Sequence, residues 1–429
     1  MLARTATERN QIAKLMHAHT SKMRADRAKF YARRTHAGVN PNLQWTILSD
    51  STSGYIYISN FFFFNIVLIF FHFSFALPHI SPLPKGWGSI RRLPIGVFDL
   101  INYALNYCTL YPYPPEWPQT PNFTISLMYN HFYHMFSILD HPRASELNET
   151  SNGSPKEYKN SAYLAFAALK IIIGWFERVN HFFLGPGHSH EEQDGIWHVL
   201  KNGFYQSRVG TFARFVTLCT QAFQTAKPEV ITKFPVFDWE TWLRPWMLAI
   251  HHHSKWRAFQ FTRSPHNPNA VLMKWKECES TPGDFHGSAS HPDGIELLLE
   301  LPSGTPNRII SQYFRPHDIA DIPKCFNDLN PDERMYWEEV LNESMLPDNT
   351  SPPVPDDYFD FDRLSYNTWH TAHPDTFQHP LTMPTTFPAI DVDETIGNFF
   401  FFFFHYLYIY YFYLFFFYTF VKKNFNFFI

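Results

Sequence analysis

The chain has 429 residues, a formal net charge of −4 and an aromatic fraction of 19%. This charge gives no general reason to expect a nucleic-acid partner. The four cysteines (Cys108, Cys219, Cys278 and Cys325) are widely spaced, which excludes a Cys-x-x-Cys zinc or redox motif. The first 20 residues lack an apolar signal region, so we expect an intracellular protein with reduced thiols.

Residues 1–40 are predicted to form a basic N-terminal helix. Within residues 7–35, Ile12, Leu15 and Met16 fall on one side of a helical pattern. The basic residues outnumber the two acids of this segment and are Arg4, Arg9, Lys14, Lys22, Arg24, Arg27, Lys29, Arg33 and Arg34. This excess of positive charge predicts contact with the phosphate backbone of DNA, and a solvated helix surface is the alternative.

A strand is predicted from Leu43 to Asp50, and a phenylalanine-rich block follows it. This block ends at Phe75, and a second one runs from Phe399 to Phe417. The second is long enough to span a membrane. Both consist mainly of Phe, Tyr and Ile, which TTT, TAT and ATA encode, and a GT can be written in the glycine codon at each entry. We interpret residues 54–75 as an intron-derived insert and residues 397–429 as read-through. The alternative is a membrane protein with a C-terminal transmembrane helix.

The segments between the two blocks predict alternating strands and helices. The predicted helices are 123–139, 163–176, 188–201, 212–225 and part of 239–252, which Pro245 should kink; the predicted strands are 179–184, 258–261, 271–275 and 295–301. Residues 95–106 fit either element. Residues 111–121, with five prolines, and the polar residues 140–160 are predicted to be loops. The pattern predicts an α/β fold with a mixed sheet flanked by helices, a small β-rich C-terminal extension and a disordered tail.

One short segment has side chains that suit a metal site. His188, His190, Glu191 and Asp194 lie together where a strand is predicted to turn into a helix. Imidazole and carboxylate groups are ligands for divalent metals, and His190 and Asp194 share a helix face at a spacing of four. Ser189 with Glu192 would also form a capping box, which needs no function. Spacing alone leaves both interpretations open.

A longer pattern resembles an uncharacterised domain family of transposable-element-derived proteins. It consists of Lys159-Asn160, an apolar helix ending in Gly174-Trp175-Phe176, and Phe183-Leu184 before Gly187-His-Ser-His-Glu-Glu-Gln-Asp194. The later segments Phe237–Leu243, Phe259–Phe261 and Val271–Lys274 also resemble this family. The resemblance covers roughly residues 22–290 without the first block. It implies an RNase H-like, integrase-type core.

The resemblance also implies a catalytic site. In such cores acidic residues from two strands and a helix hold two Mg²⁺ ions for phosphodiester cleavage or strand transfer. The positions that correspond here are Asp50, Asn152, and Asp194 or Glu191, with His188 and His190 adjacent. Asp50, Asp194, His188 and His190 are therefore the expected ligands for Mg²⁺ or Mn²⁺. Asn152 replaces an aspartate and cannot supply its charge, so an inactive core is the alternative expectation.

These inferences divide the chain into a basic helix (1–40), a core (43–210), a helical and small β extension (211–322), a disordered acidic tail (323–396) and the final phenylalanine-rich segment (397–429). The expected partner is DNA, with a homo-oligomer possible and a membrane only if the blocks are translated. A nuclear location follows from a DNA partner. The alternatives are a catalytically dead nucleic-acid-binding or interaction module and a membrane protein.

Overall fold

The computed structural model describes residues 6–51 and 75–373, with gaps at 116, 118, 152–153, 155–156, 184–191, 224–226, 251–252, 289, 311–313, 315 and 345–351. The two phenylalanine-rich blocks lie outside these residues except for Phe75, and so do residues 374–396 of the predicted tail.

Helices and strands alternate through the first two thirds of this structure. The helices are α1 (Ala6–Val39), α2 (Pro121–Tyr133), α3 (Ser161–Ile172), α4 (Glu192–Tyr205), α5 (Phe212–Gln221), α6 (Trp239–Leu243), α7 (Pro316–Ile319), α8 (Pro331–Glu343) and α9 (Tyr366–Ala372). The strands are β1 (Gln44–Ser51), β2 (Phe75–Leu77), β3 (Leu93–Asn102), β4 (Tyr107–Tyr113), β5 (Glu146–Ser151), β6 (Arg178–Phe183), β7 (Glu229–Val230), β8 (Val236–Phe237), β9 (Ala258–Arg263), β10 (Val271–Lys276), β11 (Ile295–Leu298) and β12 (Arg308–Ile309).

The fold is mixed α/β, as the sequence predicts. Within the described residues, one mixed sheet has the order β11-β10-β9-β6-β5-β1-β3-β4-β7, and β2 pairs with β3. The strands β1, β3 and β4 are antiparallel neighbours, whereas β5 and β6 run parallel to β1. The strands of the predicted β extension, β9 to β11, continue this sheet beside β6, so residues 211–322 are not a separate layer.

The sheet separates two layers of helices. On one face Trp45 packs against Phe136 and Phe176, with ring centroids 5.5 and 5.9 Å apart, under α2 and α3. On the other face the Thr46 hydroxyl donates to the Arg33 carbonyl of α1 at 3.3 Å. Successive strand residues alternate between these faces, so Asp50 lies on the α1 face.

The strand β2 continues the line of β1 along β3. Ser51 lies opposite Phe98, and Phe75 lies opposite Ile95. Phe75 is buried and packs on Phe204 of α4 and Phe215 of α5 at 5.2 and 4.9 Å. Phe75, predicted to end the insert, is therefore part of the core, and α4 and α5 lie on the same face as α1.

Three segments predicted as loop or disordered tail contain regular secondary structure, so these predictions are wrong in part. Residues 146–151, inside a predicted loop, form the central strand β5, because partners inside the fold satisfy its polar side chains. The strand β4 includes Pro112, which is tolerated because β7 pairs only with Thr109 and Leu110. The predicted tail contains α8 and α9, whose Trp337 and Trp369 are buried.

Candidate active site at the ends of β1 and β5

Two carboxylates face each other at the end of β1. Asp50 lies directly opposite Asp99 of β3 in the antiparallel ladder. Opposed residues share a face and stand about 4.5–5.5 Å apart. Asp99 is fully buried and Asp50 is half-buried. Like charges opposite each other are unfavourable, so a nearby cation would stabilise this pair.

A third carboxylate reaches the same neighbourhood through the turn after β5. The backbone N–H groups of Glu157, Tyr158 and Lys159 all point at the Ser154 carbonyl, at 3.0–3.3 Å. Burial raises the pKa of the Tyr158 phenol, and the charges of Glu157 and Asp50 raise it further. The turn therefore brings Glu157, itself 5% exposed, within electrostatic range of the end of β1.

The parallel pairing of β1 with β5 places the second predicted position beside the first. Ser49 lies opposite Ser151, the last described residue of β5. Asn152 follows it but lies outside the described residues, as do His188, His190 and Glu191. Asp194 lies in the first turn of α4, and its side chain is not described. The helix α4 contacts β1, so the elements that carry Asp50 and Asp194 are neighbours.

Of the predicted metal ligands, Asp50 has a described side chain. Across the described residues, no group of three or more His, Cys, Asp or Glu side chains is arranged to hold a metal ion. The described donors, Asp50 and Asp99, supply the hard carboxylate oxygens that Mg²⁺ and Mn²⁺ prefer. The chemistry of this pair fits the expected ion, and Asp99 supplies a negative charge that the Asn152 amide cannot.

A Ser-His-Glu arrangement lies on the opposite face of β5. The Ser151 hydroxyl is 2.9 Å from His181 Nε2, and His181 Nδ1 is 3.2 Å from Glu149 Oε2. Burial lowers the pKa of His181, so the neutral ring donates from Nδ1 and accepts from Ser151. These spacings match those of a nucleophilic triad.

Burial argues against a nucleophilic role for Ser151. The hydroxyl-bearing residue is fully buried, and its backbone lies between β1 and β6 in the sheet, so it offers no free N–H for an oxyanion hole. Glu149 also forms a buried ion pair with Lys170 of α3. Although burial opposes it, Lys170 and His181 lower the pKa of Glu149. The network fixes the end of β5, next to the position of Asn152.

Several basic residues of α1 contact the protein itself. Lys22 pairs with Glu277, and Lys29 donates to the Glu279 carbonyl at 3.0 Å. Arg33 pairs with Glu279, and its guanidinium lies 3.9 Å from the ring of Phe182. Burial lowers the pKa of Arg33 to about 9. The C-terminal half of α1 is thus docked on the sheet, and these three cations are less available to DNA than the sequence suggests.

One family model matches the central part of the chain. Residues 87–280 match a family model described as Domain of unknown function (DUF7869). The match includes β3, β5, β6 and α4, and begins after Asp50. No curated protein matches, and no solved structure matches. In the described part of the chain, none of the helices is long and apolar enough to cross a membrane.

Sequence reasoning missed Asp99 and the Glu149 network. Asp99 is the only charged residue within the apolar run of β3, and that position was the available signal. A charge inside a buried strand requires a partner or a function. The acids of β5 were assigned to a loop because no apolar alternation marks that strand.

Proposed function

We propose that this chain carries a transposon-derived, RNase H-like integrase domain, with an ancestral chemistry of metal-dependent phosphodiester cleavage or strand transfer on DNA. The observation that carries the proposal is the sheet order. RNase H-like cores have three antiparallel strands followed by two strands parallel to the first. The order β4-β3-β1-β5-β6, with the same directions, supports such a core.

The helices support the same proposal. The helices α2, α3 and α4 follow β4, β5 and β6 in the chain. In such a core, acids lie at the end of the first core strand, at the end of the fourth and on the helix after the fifth. These core strands correspond to β1, β5 and β6 here, and the acids converge because β1 and β5 are adjacent and parallel. Here those positions are Asp50, Asn152, and Asp194 or Glu191.

The described residues have definite parts in this proposal. Asp50 and Asp99 would hold a divalent cation, which when bound stabilises negative charge on phosphate oxygens. Glu157 adds negative potential nearby. The Lys170–Glu149–His181–Ser151 network keeps the end of β5 fixed against β1. Asn152 favours the second candidate function, a nucleic-acid-binding module without catalysis.

Calorimetric titration of Mg²⁺ and Mn²⁺ into the full-length chain tests the site. We expect binding to the unchanged chain, and loss or at least tenfold weakening in Asp50→Asn, Asp99→Asn and Asp194→Ala. Glu338→Gln, at an exposed acid of α8, is the matched control. An identical titration in all variants would overturn the site assignment.

A nicking assay on supercoiled plasmid separates the two candidate functions. Nicking that needs Mn²⁺ and disappears in Asp50→Asn supports the catalytic domain. Salt-sensitive DNA binding without nicking supports the inactive module. Absence of DNA binding at low salt rejects both. Nuclear accumulation of a fluorescent fusion is expected for either, and carbonate-resistant membrane association would favour the membrane alternative.

A further inference from the structure

Lys159 is a buried cation that forms no ion pair with any described residue. Its side chain is 8% exposed, and its ammonium lies 5.6 Å from the ring of Phe183 at the end of β6. No carboxylate among the described residues hydrogen-bonds to it. Lys170, the other deeply buried lysine of this region, is paired with Glu149. Unpaired buried charge is costly, so Lys159 needs a reason other than stability.

Two further basic side chains lie near Lys159. Arg257 lies opposite Phe183, where the Phe183 N–H donates to the Arg257 carbonyl at 2.8 Å. Burial lowers the pKa of Lys159 to about 8, and the charge of Arg257 lowers it further. Burial also lowers the pKa of His253, and the charge of Lys159 contributes. Three basic groups thus converge, and no carboxylate of the described residues forms an ion pair with Lys159.

Lys159 and its basic neighbours lie near the same edge of the sheet as Asp50. The strand β6 is two strands from β1 along the same edge of the sheet, on the order of 10 Å at ~4.8 Å per strand. A nucleic-acid strand that crosses the edge at Asp50 would bring a neighbouring phosphate to Lys159.

We propose that Lys159, Arg257 and His253 form a binding site for a phosphate group, occupied by the DNA backbone next to the cleavage position. The proposal deepens the proposed function and rests on it for the DNA source, whereas phosphate binding itself does not depend on it. A phosphate would supply the missing negative charge and accept hydrogen bonds from Lys159 and Arg257.

The first experiment follows Lys159 itself. After ¹³C-methylation of the lysines of the full-length chain, NMR pH titration is performed with and without pyrophosphate and with a DNA duplex, all in EDTA. We expect the pKa of Lys159 to rise from about 8 by at least one unit with either ligand. Lys255, exposed in the same segment, should not shift. No change at Lys159 with saturating pyrophosphate would overturn the proposal.

The second experiment measures DNA affinity against salt. Lys159→Met and Arg257→Met should each weaken binding several-fold and reduce the salt slope by ~0.9, the value for one lost phosphate contact. Lys255→Met is the control. Equal slopes in Lys159→Met and Lys255→Met would count against the DNA source. A shift with pyrophosphate but no DNA binding would leave the phosphate site standing and reject the DNA function.

A second inference comes independently from strand register. Between the partners of Ser51 and Phe75, only Gly96 and Val97 intervene on β3. Two residues would be enough to join Ser51 to Phe75 as one continuous strand along β3, but 23 residues, 52–74, lie between them. A chain shorter by 21 residues would therefore pair with β3 in a single register. We infer that residues 54–74 are an insertion into a single strand formed by β1 and β2. The register gives the number of extra residues, and the predicted boundary at Gly54 gives their first residue.

Paired deletions test this inference. Deletion of 54–74 places Phe75 at the strand position of Gly54, on the face where it now packs against Phe204 and Phe215. Deletion of 55–74 is one residue shorter and turns Phe75 and Leu77 to the wrong face. We expect the first variant to melt at or above the full-length temperature and several degrees above the second. Equal melting temperatures, or a lower one for the first, would overturn the inference.

Discussion

At the scale of single residues, the buried Lys170 of α3 balances the negative charge of Glu149 in β5. Lys170 Nζ contacts Glu149 and lies 4.5 and 5.1 Å from the rings of Phe166 and Phe132. Removing one member of such a pair leaves the other charged and desolvated, whereas removing both costs less. The pair is therefore a sensitive test of whether the polar centre of β5 is formed as described.

We expect Lys170→Met to lower the free energy of unfolding by about 3–5 kcal/mol, measured by urea denaturation at pH 7. Adding Glu149→Gln should restore part of the loss because the orphaned charge is then removed. Lys227→Met, at an exposed lysine, should stay within about 0.5 kcal/mol of the unchanged chain. A double variant less stable than Lys170→Met would contradict this account.

A second residue-scale prediction concerns pH. Burial lowers the pKa of His131 to about 3, with smaller effects from His134 and His141. The unfolded chain binds a proton near pH 6.5, but the folded chain leaves this ring neutral until about pH 3. The unfolded state then carries more protons, so the stability contributed by neutral His131 is lost as pH falls from 6.5 towards 3.

In His131→Gln, the unfolded chain should bind one proton fewer as the pH falls, so the stability should depend less on pH. Between pH 7 and 5 the loss of unfolding free energy should be smaller in the variant by about 2 kcal/mol, at 1.36 kcal/mol for each pH unit below 6.5. Urea titrations at both values provide the comparison, and His134 and His141 contribute equally to both proteins. If the unfolding free energy fell by the same amount in the variant, a group other than His131 would be responsible for the pH dependence.

At the scale of elements, the polar strand β5 depends on a row of amides across three strands. Asn180 Nδ2 donates to Asn148 Oδ1 at 3.0 Å, and Gln260 Nε2 donates to Asn180 Oδ1 at 3.0 Å. Asn180→Leu should therefore cost about 1–3 kcal/mol, since its buried partners lose hydrogen bonds. Arg178→Met, which breaks an exposed pair with Glu146, should cost less than about 1 kcal/mol. Equal losses of unfolding free energy in Asn180→Leu and Arg178→Met, measured by urea denaturation, would contradict the role of the amide row.

The elements also show what a single sequence can predict. The apolar runs of α2, α3 and β10 carry enough periodicity to be predicted, and the helix kink at Pro245 is confirmed by the change from α6 to a 3-10 turn. The strand β5 was missed because its partners, such as Lys170 and His181, are distant in sequence. Asp50 was found because it ends a strand, whereas Asp99 becomes visible only through the register of β1 with β3.

At the scale of the whole molecule, the segment after residue 316 closes the fold. The Trp337 indole donates to the Gly210 carbonyl at 2.6 Å, and Glu333 pairs with Arg208. Farther along, the Trp369 indole donates to Asp140 at 2.9 Å, and the Tyr129 hydroxyl donates to the Tyr358 carbonyl at 2.6 Å. These contacts reach α2, the loop before β5 and the loop before α5, all distant in sequence.

We expect a chain of residues 1–320 to lose cooperative folding when compared with a chain of residues 1–385. The shorter chain lacks seven buried large apolar side chains: Ile322, Leu329, Trp337, Val340, Tyr358, Leu364 and Trp369. Each contributes about 1.5–3 kcal/mol when fully buried, and the net stability of a domain is about 5–15 kcal/mol. Because the expected loss is of the same size as the whole stability, thermal unfolding followed by near-UV circular dichroism should show a transition for 1–385 and none for 1–320. Superimposable transitions would mean that the segment only covers a core that is complete without it.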